Sequence, residues 1–387
     1  MAHDTATLNL MDTVARPFSN AIAMPPSVYT SDAFLEHELN DLFRSEWICV
    51  GRAEALAEPG DFITYDLVDQ PVVILRDEHG ELRALSNVCL HRMSVLLEGC
   101  GNVQRIKCPY HAWTYSLNGE LRAAPFMKET AGFKQPEYRL PEIRCEQWMG
   151  WIYITLNDEI PSVRERLGDL ESLIAHYHVE DYRQTFYETH VWNTNWKVLA
   201  ENFMESYHLP ACHEATVGPH SAIKDMDCPP GFAHFNYHWI TKEASLAIGN
   251  AHPDNDRLTG DWRKTTALIA IYPNHFITLT PGYFWYLTLH PRGVDQVHIT
   301  YGGGLSPEFM ADPKAQEYQT TLKNLLDEVN VEDRCCTERV YRGLSSPAAR
   351  PGNISYLERP VYDFAQYIAE RIGGFERRFD ESGSAAT

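Results

Sequence analysis

Positive charge is the scarcest commodity in this 387-residue chain: 33 Lys and Arg face 53 Asp and Glu, a formal net charge of −20. Nucleic acid and anionic membranes would be repelled by that balance and are excluded as expected partners. Missing too is any apolar run of the roughly 20 residues needed to span a bilayer. No basic-then-apolar leader opens the chain, so a reducing cytoplasm is the expected location. Nine cysteines, an odd number at irregular spacing, do not make the framework of a disulfide-stapled secreted domain. No Gly-rich dinucleotide fingerprint follows a predicted strand, so a nicotinamide cofactor would have to act through another protein. Internal repeats and low-complexity tracts are absent as well.

What is present is an interleaved metal-ligand pattern. Cys89-Leu90-His91 is followed, after sixteen residues, by Cys108-Pro109-Tyr110-His111. Structural zinc sites usually take both cysteines from one short motif and both histidines from another. Here each motif supplies one of each. That distribution suits a binuclear cluster with unlike irons, Cys89 and Cys108 on one and His91 and His111 on the other, the ligand set of a Rieske [2Fe–2S] centre.

Around these motifs the text is strand and turn. Asp61–Leu67, Pro71–Leu75, Leu82–Val88 and the apolar Trp148–Leu156 read as strands, with turns at His79-Gly80 and Asn118-Gly119. Residues 48–156 are therefore expected to form the cluster domain. Residues 1–47 would be a polar arm, Met1–Pro26, and a helix over Ser31–Trp47 with Ser31 as its N-cap. Residues 157–387 would form a catalytic domain. Strands are expected there at Gln184–Trp192, Ala267–Ile271, Phe276–Thr280, Phe284–Leu289 and Val297–Tyr301, and helices over Asn195–Leu209, Pro313–Leu344 and Glu358–Ile372. Consecutive strands covered by helices make an α+β fold. Glu214–Arg263 shows little periodicity and reads as a solvated loop or a mobile cover. Alternation sends half of Phe276, Phe284, Trp285 and Tyr286 to the core and half to a pocket.

A second ligand-rich stretch runs from Glu201 to His213. In a continuous helix Asn202, Glu205 and His208 would share a face, and Pro210 would break the helix so that His213 turns back. Two histidines and a carboxylate form the facial triad of non-haem Fe(II) oxygenases. Glu205 is near in sequence, but Asp333 is the better source of the carboxylate, because it extends the apolar stripe Leu322, Leu325, Leu326, Val329. Glu332 is the next candidate.

Taken together, Cys-x-His-x₁₆-Cys-x₂-His and Asn193-x-Asn195-Trp196-Lys197…Glu201-Asn202-Phe203…Tyr207-His208…His213, with Glu332-Asp333 far downstream, resemble the α subunit of Rieske non-haem iron ring-hydroxylating oxygenases. The resemblance implies a small all-β Rieske domain and a helix-grip catalytic domain. It implies Cys89, His91, Cys108 and His111 as cluster ligands, His208, His213 and Asp333 as ligands of a mononuclear Fe(II), and Asn202 and Glu205 as catalytic-site residues. It further implies a terminal oxygenase that uses O2 and a small organic substrate. Electrons would come from NAD(P)H only through a separate reductase, with or without a ferredoxin, and the assembly would be a homotrimer. In the family the acid at the position of Glu205 joins the iron-bound histidine to a neighbouring subunit's cluster histidine, here His111. Most ring-dihydroxylating members carry aspartate at that position. Glutamate, with Tyr341-Arg342-Gly343-Leu344-Ser345-Ser346 and Ser355-Tyr356-Leu357-Glu358, is similar to the carnitine monooxygenase-like, N-alkyl-oxidising branch. N-dealkylation is thus the expected reaction. Aromatic-ring (di)oxygenation and a Rieske electron carrier without the second iron are the alternatives.

Overall fold

The computed structural model describes residues 4–220, 222–244, 246–379 and 383–385. The first three residues of the expected arm, positions 221 and 245 of the expected loop, and 380–382 and 386–387 of the expected catalytic domain lie outside the described residues. The chain divides into two units, Phe43–Glu165 and a larger one made of Met1–Leu42 with Arg166–Thr387. The fold is α+β.

In the smaller unit an antiparallel sheet runs in the order Ile48–Arg52, Trp151–Thr155, Glu142–Trp148, Leu82–Ser86, Gln70–Arg76, Asp61–Leu67, Cys100–Asn102. β-branched residues pack its centre: Val72, Val73 and Ile74 are fully buried. The run Trp148–Leu156 is not one strand but the turn and second arm of a hairpin. Met149 and Gly150 make that turn at φ 46° and 85°, the pair of positive values a two-residue hairpin favours. A three-stranded sheet, Ile106–Lys107, Thr114–Tyr115 and Leu121–Ala123, carries the second cysteine–histidine loop. Its hairpin turns at Asn118-Gly119, with Gly119 at φ 89°.

The larger unit is built on an antiparallel sheet in the order Arg183–Trp192, Val297–Leu305, Tyr283–Pro291, His275–Leu279, Thr265–Ile271, Phe235–Thr241, Met226–Asp227. Helix Trp196–Met204 packs on strands Thr265–Ile271 and Tyr283–Pro291, and the thirty-residue helix Ala315–Leu344 packs on Arg183–Trp192 and Val297–Leu305. Phe235–Thr241 lies in the stretch expected to be a loop or cover. Phe235, Tyr237 and Trp239 alternate there with Asn236 and His238, and the two polar residues disguise the strand. Both are buried and bonded, Asn236 to Tyr272 Oη at 2.8 Å and His238 to Ser206 Oγ at 2.7 Å.

The N-terminal region departs from expectation as well. The polar arm contains a helix, Thr5–Val14, capped by Asp4 Oδ1, which accepts from the Thr7 N–H at 2.7 Å. It packs on the final helix, Arg359–Gly373. Ser31 caps as expected, but the helix Asp32–His37 then widens into a π-helical turn, Glu38–Phe43. From that turn Glu38 reaches Lys197 Nζ at 2.6 Å, and both side chains are fully buried. Trp196 Nε1 donates to the same carboxylate at 3.1 Å. The N-terminal segment thereby holds the helix that leads into the ligand stretch.

Glu201, one turn further along that helix, receives the Tyr29 hydroxyl at 2.8 Å to each carboxylate oxygen. Burial pushes its carboxyl from the ordinary 4.5 up to about 7. The folded protein therefore keeps a proton that the unfolded chain releases. Stability from this group is complete below pH 4.5 and is lost as the pH rises to about 7. In Glu201→Gln that slope should vanish. Denaturation at stepped pH measures it, and identical pH profiles for the two proteins would contradict the assignment.

Candidate metal centres and the cavity beside one of them

Two loops in the smaller unit share one design. The Met93 N–H bonds the Cys89 carbonyl at 3.0 Å and the Cys89 N–H bonds the Ser94 carbonyl at 2.9 Å. At Cys108 the same pair recurs, with the Ala112 N–H at 3.2 Å and the Trp113 carbonyl at 2.8 Å. Met93 and Ala112 each take a left-handed φ, 51° and 57°, a cost that clusters at functional loops. The loops bring the four residues together: Cys89 and Cys108 are buried and the His91 and His111 rings lie 4.6 Å apart. Nδ1 of His91 and Nδ1 of His111 are both buried without a hydrogen-bond partner among the described residues. Two shielded thiols and two orphaned imidazole nitrogens fit a cluster that accepts two sulfur and two nitrogen ligands. On the exposed side the tips are bare, with Met93 76% and Tyr110 56% exposed.

Sequence reasoning passed over Tyr115. Its hydroxyl lies 3.4 Å from Cys89 Sγ and accepts from the Leu90 N–H at 3.0 Å. Hydrogen bonds to cluster sulfurs stabilise the reduced, more negative state. Tyr115→Phe should therefore lower the cluster's reduction potential without changing its ligands. Redox titration followed by paramagnetic resonance reads the shift, and an unchanged or raised potential would count against the bond.

The second set of ligand-type residues converges in the larger unit. Nε2 of His208 lies 3.2 Å from Nε2 of His213. Asp333 Oδ1 lies 3.6 Å from the first and 3.1 Å from the second. These three residues form a group whose ligand atoms all lie within 4.8 Å of one another. The other ring nitrogens are held by separate acids: His208 Nδ1 by Glu205 at 2.6 Å, His213 Nδ1 by Glu332 at 2.8 Å. Glu332 also accepts from Thr216 Oγ1 at 2.6 Å. It supports a histidine and is not the third converging group. Burial alone would push both imidazoles down, yet the carboxylates outweigh it and hold His208 protonated up to about 10. Protons here occupy the place of a cation, and a divalent metal would displace them. Three inward donors with acids behind the imidazoles fit a facial Fe(II) site.

Local structure differs from the expected continuous helix. Trp196–Met204 ends before Glu205, which is extended at φ −127°, ψ 152°. The Glu205 carboxylate accepts the N–H groups of Tyr207 and His208, offering that backbone an alternative to the helix. Pro210 then sits in the first turn of a short helix, Leu209–Cys212, where its missing N–H costs nothing. It starts a helix where it was expected to stop one. Asn202, Glu205 and His208 consequently do not lie on one helical face, although all three line the same cavity. Cys212, next to His213, is joined by a disulfide to Cys336, three residues past Asp333, across 124 residues. The irregular cysteine spacing gave no sign of this pair.

The cavity has a volume of about 170 Å³ and ends at the three converging side chains. Strand alternation sorts its aromatic wall. Tyr283, Trp285 and Leu287 face the cavity, whereas Phe284 and Tyr286 are core; Phe276, opposite Leu287, is fully buried behind Phe203, its ring 5.4 Å away, and does not border the cavity. Trp192, Phe203, Thr266 and Lys242 also line it and were not anticipated. Asp333 is 8% exposed and continues the buried stripe of its helix, Leu322, Leu326, Val329.

Residues 175–374 match the catalytic domain of the ring-hydroxylating alpha subunit, and residues 46–139 match the Rieske [2Fe-2S] domain. Choline monooxygenase from Beta vulgaris is 31% identical over 369 residues, covering 92% of this chain and 78% of that protein. The carnitine monooxygenase oxygenase subunit of Escherichia coli K12 is 33% identical, covering 85% and 86%. In fold, a quaternary ammonium Rieske monooxygenase superposes with a TM-score of 0.81 at 24% identity, over 95% of this chain and 98% of that one. Naphthalene 1,2-dioxygenase from Rhodococcus sp. superposes nearly as well, 0.80 at 20% identity, over 96% and 99%. No helix among the described residues is long and apolar enough to cross a membrane.

Proposed function

The chain belongs to the ring-hydroxylating α-subunit family of Rieske oxygenases, and on that premise we propose that it is a terminal monooxygenase that hydroxylates the carbon next to a substrate nitrogen. Such a product is a hemiaminal, which collapses to the dealkylated amine and an aldehyde. The observation that carries this reading is the meeting of two imidazole nitrogens and one carboxylate oxygen at the end of a largely apolar cavity. His208, His213 and Asp333 would hold the mononuclear iron, and Cys89, His91, Cys108 and His111 the cluster. Bound there, the metals supply electron storage and O2 activation. The remaining work falls to the chain. Glu205 and Glu332 fix the two rings through their outer nitrogens. The aromatic wall orients the substrate and excludes water, and Asn202 borders the reacting end. The N-alkyl reading is supported by the choline and carnitine monooxygenases to which the chain is similar, and by Glu205 in place of aspartate.

Electrons are expected from NAD(P)H by way of a separate reductase, with or without a ferredoxin. The exposed Met93 and Tyr110 beside His111 suit docking of a partner at the cluster edge. A head-to-tail homotrimer would bring Glu205 of one subunit to His111 of the next. Oxygen uptake with a surrogate reductase, followed together with aldehyde release across N-methyl, N-alkyl and aromatic compounds, tests the reaction. Aldehyde from N-alkyl compounds is the expected result. Diol formation from an aromatic with no aldehyde would replace this reading with ring dioxygenation.

A further inference from the structure

Lys242 is out of keeping with the wall it belongs to. It follows directly on strand Phe235–Thr241, and Ile240 and Lys242, two residues apart in an extended stretch, both border the cavity. Its ammonium nitrogen is buried and has no hydrogen-bond partner among the described residues. Burial holds the group below the ordinary lysine range, with Asp225 opposing, and Asp225 does not border the cavity. Thr278 Oγ1, also in the lining, is buried and without a partner among the described residues. A donor left bare in an apolar enclosure costs free energy unless a ligand completes it. Of the other charged side chains that border the cavity, Glu205, His208, His213 and Asp333, all belong to the metal centre.

We propose that Lys242 is the anchor for a carboxylate on the substrate, so that the chain oxidises N-alkyl carboxylates and not N-alkyl alcohols or hydrocarbons. This rests on the oxygenase reading and names its substrate class. A single ammonium matches a monoanion; a phosphate dianion would call for more donors. Position supplies a length. His238, bonded to Ser206 two residues before His208, marks the metal end, and Lys242 lies four residues further along the same extended stretch, about 13 Å at the rise of a β-strand. The carboxylate should therefore be several bonds from the oxidised carbon. Elsewhere in the lining, the faces of Trp192, Phe203, Tyr283 and Trp285 offer a cationic nitrogen its cation–π contacts.

The test is calorimetric binding to the anaerobic holoenzyme, which needs no turnover. The probes are γ-butyrobetaine, its carboxamide, the shorter glycine betaine and choline, which has the trimethylammonium but no carboxylate. Wild-type protein should bind γ-butyrobetaine about tenfold or more tighter than the carboxamide, with glycine betaine weaker. Lys242→Met, of similar volume, should erase that preference while leaving the cluster's visible spectrum intact, and Lys242→Arg should restore most of it. A wild type without carboxylate preference, or a Lys242→Met variant that keeps it, overturns the anchor. Aldehyde release from N-alkyl compounds that is indifferent to Lys242 would likewise remove the anchor and leave the oxygenase reading standing. A Lys242-dependent carboxylate preference without aldehyde release from any probe would sustain the anchor and bring down N-dealkylation.

Discussion

Asp333→Ala should abolish turnover, at least about a hundredfold by the scale of losses at metal centres, and lower the iron content by about one atom per chain. Asp333 Oδ1 supplies the negative charge among the three converging donors. Without it two neutral imidazoles would have to hold a hard divalent ion, and non-haem iron sites add a carboxylate to such a pair. The fold should survive, because alanine at a position 8% exposed, on a stripe otherwise made of Leu322, Leu326 and Val329, removes a desolvated charge and adds no bulk. The cluster's paramagnetic spectrum should be untouched, since its ligands belong to the other unit. Iron analysis and that spectrum on one sample check both halves. Full iron and full activity in the variant would make Asp333 an ordinary helical acid.

Lys197→Met should be the most damaging single change to stability. The pair Lys197–Glu38 is fully buried at 2.6 Å. Burial pushes the lysine down and the glutamate up, and each partner opposes the shift of the other. Removing one member strands the other as an uncompensated buried charge, a loss of about 3–5 kcal/mol. For a unit of more than 200 residues that is on the order of 10 °C in Tm. Glu38→Gln combined with Lys197→Met should recover much of it, because a pair of neutral groups leaves no stranded charge. Scanning calorimetry of the single and double variants decides. Equal losses that simply add would mean the two residues do not act as a pair.

How far the sequence carried the reading depends on what each feature rests on. The spacing of Cys89, His91, Cys108 and His111 was legible because cluster ligation demands residue types at fixed offsets. Asp333 was legible because it falls on a helical stripe. Local rules failed where a distant group overrode them. Helix propensity continued past Met204, but the Glu205 side chain captured the backbone beyond it. The Ser31 helix widened where Glu38 meets Lys197, 159 positions away. Asn236 and His238 looked like loop residues because their partners, Tyr272 and Ser206, are remote in the chain. The anchoring lysine was hidden for a related reason. Its neighbours in sequence are polar, and only pairing of Ile240 with Thr266 on the next strand shows which wall it joins.

The Cys212–Cys336 bond closes a covalent ring that contains both His213, next to one sulfur, and Asp333, three residues before the other. Without a metal, these two donors would still be held from drifting apart with the segments that carry them. Each remains at a high effective concentration for the other, so recapture of an ion behaves as an intramolecular event. The centre can thus empty and refill without the surrounding sheet having to be assembled again.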